Sequence, residues 1–77
     1  MNQYVIVTME YRGSAYDVEI PANVTMNKIK PLLKKAFYEK GISLDSYFTL
    51  SCNGCVIDDK DMLMDKGIWD GSILTIG

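Results

Sequence analysis

Apolar and polar positions alternate in two adjacent stretches near the start of the chain. Residues 4–11 (YVIVTMEY) are rich in β-branched and aromatic types and read as a strand. Gly13 then stands where a hairpin turn needs it, within residues 10–14. In residues 15–20, Tyr16, Val18 and Ile20 face one way while Asp17 and Glu19 face the other, the pattern of a strand with one wet face. Pro21 ends that run, because proline has no N–H to give to a ladder.

The period then changes. Met26, Ile29, Leu33 and Phe37 recur at helical spacing, with Leu32 and Ala36 widening the stripe. Thr25 is placed as the N-cap, without the glutamate that would complete a capping box. Gly41 supplies the C′ residue, and Lys40 puts a cation at the negative end of the helix dipole. Pro31 is discordant: it removes one helical hydrogen bond, so the pattern predicts a distorted first turn or a later start. Strand character returns over residues 47–52, followed by the hairpin signal Asn53-Gly54 and a short return strand over 55–57. Gly67-Ile68-Trp69-Asp70-Gly71 leads into a last strand over 72–76.

The predicted order is β-β-α-β-β-β, an α+β class. A lone helix must bury its stripe, and a sheet with one polar face needs a cover. A mixed sheet of about five strands wrapped over one helix, the β-grasp arrangement, satisfies both. Alternation turns Val5, Val7, Met9, Tyr16, Val18 and Ile20 inward, with Leu50, Ile57, Leu63, Ile68, Leu74 and Ile76 completing the core. Ile6, Met62, Met64, Trp69 and Ile73 are left without an obvious place in it.

Length adds that the 77 residues form one domain, spanning 1–77. At 48% hydrophobic and 23% charged residues, with two prolines and no low-complexity run, the chain is expected to be globular rather than disordered. No apolar stretch reaches the ~18 residues a membrane span needs. The opening residues carry no basic region, so neither a signal peptide nor membrane insertion is expected, and the location is expected to be cytoplasmic. The net charge is only −2 but unevenly spread. Lys28, Lys30, Lys34, Lys35 and Lys40 cluster on the helix, and Asp45, Asp58, Asp59, Asp61, Asp65 and Asp70 follow it, which predicts a weak dipole. An acidic chain with no basic stripe interleaved with aromatics is not expected to bind nucleic acid.

Candidate chemistry is sparse. Cys52-Asn53-Gly54-Cys55 straddles the hairpin turn rather than opening a helix, whose N-terminus would activate a thiol. The two cysteines should face each other and act as packing and turn residues, with a strained disulfide accessible on oxidation. A zinc site needs more ligands, and the chain has no histidine. Asp58, Asp59, Asp61 and Asp65 lack the register of a calcium loop and suit turn capping better. No catalytic constellation, phosphate loop or dinucleotide fingerprint is present, so neither an enzyme nor a cofactor is expected.

Nearly the whole chain resembles ubiquitin: the first hairpin, Thr25 at the helix start, Lys40-Gly41-Ile42 at its end, Asn53-Gly54, and the Gly67-Ile68-Trp69-Asp70-Gly71-Ser72-Ile73-Leu74 segment. Its opening Met1-Asn2-Gln3-Tyr4-Val5 and its size are further similar to the YukD/EsaB family of bacterial type VII secretion. That resemblance implies a cytosolic accessory protein that docks on cytoplasmic domains of a membrane-embedded secretion machine. Two departures from ubiquitin follow. The sequence ends Ile76-Gly77 without a Gly-Gly tail, which disfavours the alternative of a modifier or sulfur carrier. Ser51 and Gly77, flanked by Thr49 and Thr75, stand where ubiquitin has its apolar patch, so ubiquitin readers would lack an anchor. A small subunit of a multicomponent enzyme is the other alternative. The candidate partner-binding residues are Trp69, Met64 and Met62, as a patch or as a satellite of the core, with Tyr47, Ile73, Lys34 and Lys35.

Overall fold

β1 (Tyr4–Tyr11) and β2 (Ser14–Pro21) pair antiparallel in an unbroken register from Tyr4↔Pro21 to Tyr11↔Ser14. Arg12 (φ 49°) and Gly13 (φ 81°) carry the successive positive φ values of a type I′ turn, whose twist matches that of the strands. The computed structural model describes residues 3–77, so Met1 and Asn2, at the head of the family-like opening and of the expected domain, lie outside the described residues. β2 includes Pro21, which stays paired with Tyr4 because it sits at the end of an edge strand.

The helix α1 (Met26–Glu39) starts directly after Thr25, with Pro31 inside it. The helix therefore does not start late. Its first turn is tightened: the Thr25 carbonyl accepts from both Lys28 N–H (3.0 Å) and Ile29 N–H (3.3 Å). Thr25 occupies the N-cap position in an extended conformation, yet its side chain makes no cap bond. The orphan N–H groups of Met26 and Asn27 instead donate to the backbone carbonyls of Asp61 (2.8 Å) and Asp59 (3.0 Å). The far end closes as the sequence predicts. Gly41 takes φ 83°, its N–H donates to Tyr38 O, and Ile42 N–H reaches back to Phe37 O, which together make a Schellman motif.

β3 (Leu50–Cys52) and β4 (Cys55–Ile57) form the second hairpin around Asn53 (φ 53°) and Gly54 (φ 81°). β3 is shorter than the six residues of strand character suggest. Thr49 still exchanges two backbone bonds with Gly77 (3.0 and 2.9 Å), but the chain turns away at Ser46 and Tyr47. A single 3₁₀ turn, Leu63–Lys66, follows β4, and β5 (Ile73–Ile76) completes the sheet. The strand order is β2-β1-β5-β3-β4, with β1 and β5 parallel and the other pairs antiparallel. This is the ubiquitin-like β-grasp: a five-stranded mixed sheet on one helix.

The core lies between the helix and the concave face of the sheet. Met26, Ile29, Leu33 and Phe37 of α1 meet Val5, Val7, Met9, Val18, Ile20, Leu50, Leu74 and Ile76 of the strands. Tyr16 is half-buried and packs edge-on against Phe37, ring centroids 5.3 Å apart at 80°. Ala22 and Leu44 are also buried, although they stand in connections where no periodicity marks them, and so is Phe48, which shares the parity of Leu50 just ahead of β3. Phe37 is fully buried at the centre, so Phe37→Ala should lower the unfolding free energy by about 3–5 kcal/mol. A urea titration by circular dichroism should show the midpoint falling with the slope unchanged.

Candidate docking surface

The convex face of the sheet, opposite the helix, is set by strand parity. It carries Ile6, Thr8 and Glu10 of β1, Asp17 and Glu19 of β2, Ile73 and Thr75 of β5, Ser51 of β3 and Val56 of β4. Across the middle of this face, Ser51 pairs with Thr75 and Thr49 with Gly77. The centre is polar, as the sequence predicts.

Two exposed apolar residues, Ile6 and Ile73, lie together on one side of this centre, with Val56 on the far edge strand. Thr8 is the register partner of Ile73, and Ile6 lies two residues back on the same face. Beyond the start of β5 the ladder is continued by a side chain: Asp70 Oδ1 accepts the Ile6 N–H at 2.7 Å. Gly71 (φ 87°) then donates its N–H to Ile6 O at 2.9 Å, and Thr8 N–H donates to Ser72 O at 2.9 Å. The Asp70-Gly71 pair thus has a specific physical task. A carboxylate substitutes for a strand carbonyl, and a left-handed residue lets the next amide turn back onto β1.

Trp69 immediately precedes this lock. Its carbonyl accepts from Ser72 N–H (3.1 Å) and its own N–H donates to Ser72 Oγ (3.2 Å). Its backbone is therefore fixed at both polar groups while the residue remains 50% exposed. Ile6 (52%) and Ile73 (53%) are equally open. An exposed tryptophan on a pinned turn, one residue before the Asp70 that binds Ile6, together with two exposed isoleucines on a paired ladder, offers apolar surface whose backbone has little conformational freedom left to lose on contact.

The other sequence-derived candidates are placed elsewhere. Met62 is half-buried and bridges to Thr25, and Met64 is half-buried against the core with its N–H on the Ala22 carbonyl (3.1 Å). These ties hold both methionines at the entry to the helix. Tyr47, 95% exposed, sits in the turn before β3 and shares a shallow groove with Val56, Phe48 and Lys30 near the β4 edge. Lys34 and Lys35 lie on α1, across the core from the convex face. The basic helix and the acidic loop are stitched together by Lys30, which pairs with Asp59 at 2.7 Å, while within the loop Lys66 of the 3₁₀ turn pairs with Asp61 at 3.4 Å. Asp61 also accepts the Asp58 N–H (3.0 Å), which is turn capping.

Cys52 and Cys55 are register partners across the turn and both are free thiols. Among the described residues, no group of three or more His, Cys, Asp or Glu is placed to hold a metal ion. No helix among them is long and apolar enough to cross a membrane.

A family model described as "WXG100 protein secretion system (Wss), protein YukD" matches residues 4–76. No curated protein matches the chain. Among solved structures, the N-terminal ubiquitin-like domain of the 4931431F19Rik protein superposes with a TM-score of 0.83 at 18% identity, covering 100% of this chain and 76% of that one. The ubiquitin-like domain of the Mycobacterium tuberculosis type VII secretion system protein EccD1 gives 0.79 at 21% identity, covering 96% and 97%. A chain of the MycP5-free ESX-5 inner membrane complex gives 0.76 at 22% identity, covering 97% of this chain but 21% of that one. At these identities the superpositions establish the fold alone.

Replacing Asp70 by Ala removes the acceptor that holds Ile6, and should destabilise the domain by about 1–2 kcal/mol. Asp70→Asn keeps an acceptor oxygen and should cost less. Hydrogen exchange followed by NMR should show the Ile6 amide opening faster in Asp70→Ala than the helix amides do.

Proposed function

The chain belongs to the YukD family of WXG100 secretion-system proteins, and from that membership we propose that it serves a type VII secretion system as a non-catalytic accessory. It works in the cytoplasm and docks on the cytoplasmic domains of the membrane components. The observation that carries this reading is the corner formed by Ile6, Trp69 and Ile73: about half-exposed apolar side chains on a backbone held by Asp70, Gly71 and Ser72. Aromatic residues on rigid supports are the usual anchors of protein interfaces. That domains of this fold occur in a type VII secretion protein and in an ESX-5 inner membrane complex supports the same direction.

In this role the protein supplies a rigid plug rather than a reaction. The polar centre of the convex face, Ser51 and Thr75, keeps the apolar contact confined to one end and so fixes the orientation of a bound partner. Trp69→Ala should weaken binding to the cytoplasmic domain of a type VII membrane component by about thirtyfold, the ~2 kcal/mol of a hot-spot residue. Calorimetric titration with purified domains measures this, and thermal melting should show the fold retained. Equal affinity of wild type and variant removes the corner from the interface; no affinity of wild type for any such domain removes the docking role.

A further inference from the structure

β2 is the edge of the sheet on the side that flanks α1, and its outward backbone groups follow from the register. A two-residue turn closes on a pair that exchanges both hydrogen bonds, here Tyr11↔Ser14. Every second pair after it, Met9↔Tyr16, Val7↔Val18 and Val5↔Ile20, is bonded in the same way. The Ala22 N–H donating to Gln3 O confirms that phase at the far end. Ala15, Asp17 and Glu19 therefore direct both their N–H and C=O groups away from the sheet, and Pro21 directs its C=O.

Beside this edge the helix does not close down on the sheet. A groove of about 250 Å³ runs between them, walled by Val18, Ile20 and Val24 on one side and Leu32 and Ala36 on the other, with one charge of each sign, Lys28 and Glu19, also in its lining. Leu32 is 54% exposed there, an apolar residue on the outer flank of an otherwise well-buried helix stripe. An open ladder beside an apolar trough is the geometry that accepts an added strand.

We propose that the β2 edge binds an extended segment of a partner protein by strand addition, and that this segment alternates aliphatic with basic residues. The sign of the charge on each face sets the chemistry. Side chains of the added strand that point toward the helix enter the trough, where the apolar walls of Val18, Ile20, Val24, Leu32 and Ala36 favour aliphatic residues. Side chains on the other face lie beside Asp17 and Glu19, which favour lysine or arginine. The same acidic row argues against a second copy of this chain as occupant. Antiparallel β2–β2 pairing would set Asp17 and Glu19 of one molecule against those of the other, and like charges directly opposed are destabilising. The acidic row adjoins the Ile6–Trp69–Ile73 corner, since Glu19 is the register partner of Ile6. The open backbone edge and the trough lie on the far side of β2 from it, and the inference stands whether or not that corner meets secretion machinery.

The test is selection of random peptides displayed on phage against the isolated protein, followed by titration of the enriched synthetic peptides. Enriched sequences should alternate aliphatic residues with Lys or Arg. Their binding should slow hydrogen exchange of the Ala15, Asp17 and Glu19 amides in NMR. Glu19→Pro removes an outward N–H that the native ladder does not use and should abolish binding. Leu32→Glu changes an already exposed helix residue and should weaken binding at least about tenfold. Trp69→Ala should leave it unchanged. If Glu19→Pro does not fold, Leu32→Glu together with the exchange pattern decides. Enrichment of no peptide, peptides without the alternation, protection at Ile6 and Ile73 instead, or self-association that protects the same β2 amides would each overturn the proposal.

Discussion

Everything in this molecule hangs on the parallel pairing of β1 with β5. It joins the first hairpin to the rest of the sheet and places one of the two longest strands next to the centre. The pairing is short in its regular part, from Thr8↔Ile73 to Glu10↔Thr75, and parallel ladders are slightly weaker per residue than antiparallel ones. Asp70 and Gly71 extend it past the end of the strand by binding both backbone groups of Ile6. The motif that marks the ubiquitin-like C-terminal segment is therefore a backbone lock, and the exposed Trp69 is carried on the turn that forms it.

The helix depends on a second backbone device. Thr25 gives no side-chain cap, and the first amides of α1 are satisfied by carbonyls of the aspartate-rich loop. The Lys30–Asp59 bridge lies on the same seam, but its exposed carboxylate limits its weight. The backbone bonds, with Met64 N–H on Ala22 O, hold the loop to the helix start. Met62 and Met64 are consequently drawn to the helix entry, while Trp69, a few residues on, remains open.

Most of the architecture was legible because it rests on local signals. Alternation in β1 and β2, the stripe through Phe37, Gly41 at C′ and Asn53-Gly54 each have one physical cause within a few residues. The helix cap was not legible, since a backbone carbonyl offered by a distant loop leaves no mark in side-chain chemistry. Ala22 and Leu44 were missed as core because they lie in connections without a period, whereas Phe48 carried the parity of the inward Leu50 and was overlooked despite it. Of the candidate site, the exposure of Ile6, Trp69 and Ile73 was readable as apolar residues in excess of the core. Their adjacency was not, because it depends on β5 lying beside β1. The open edge of β2 was hidden for the same reason: strand order is a property of pairing, not of any one strand.

The Ile6–Asp70 contact joins groups 64 positions apart, and that separation governs when the domain comes into being. The two hairpins and the helix close short loops and form early, whereas the sheet becomes continuous only when β5 arrives beside β1. Before that moment β1 presents an unpaired flank and Val5, Val7 and Met9 lack the Leu74 side of their packing, a state with the features that drive misassociation. Because Asp70 stands just ahead of β5 in the chain, its bond to Ile6 and the strand pairing that follows it belong to one late, long-range closure on which the whole sheet depends.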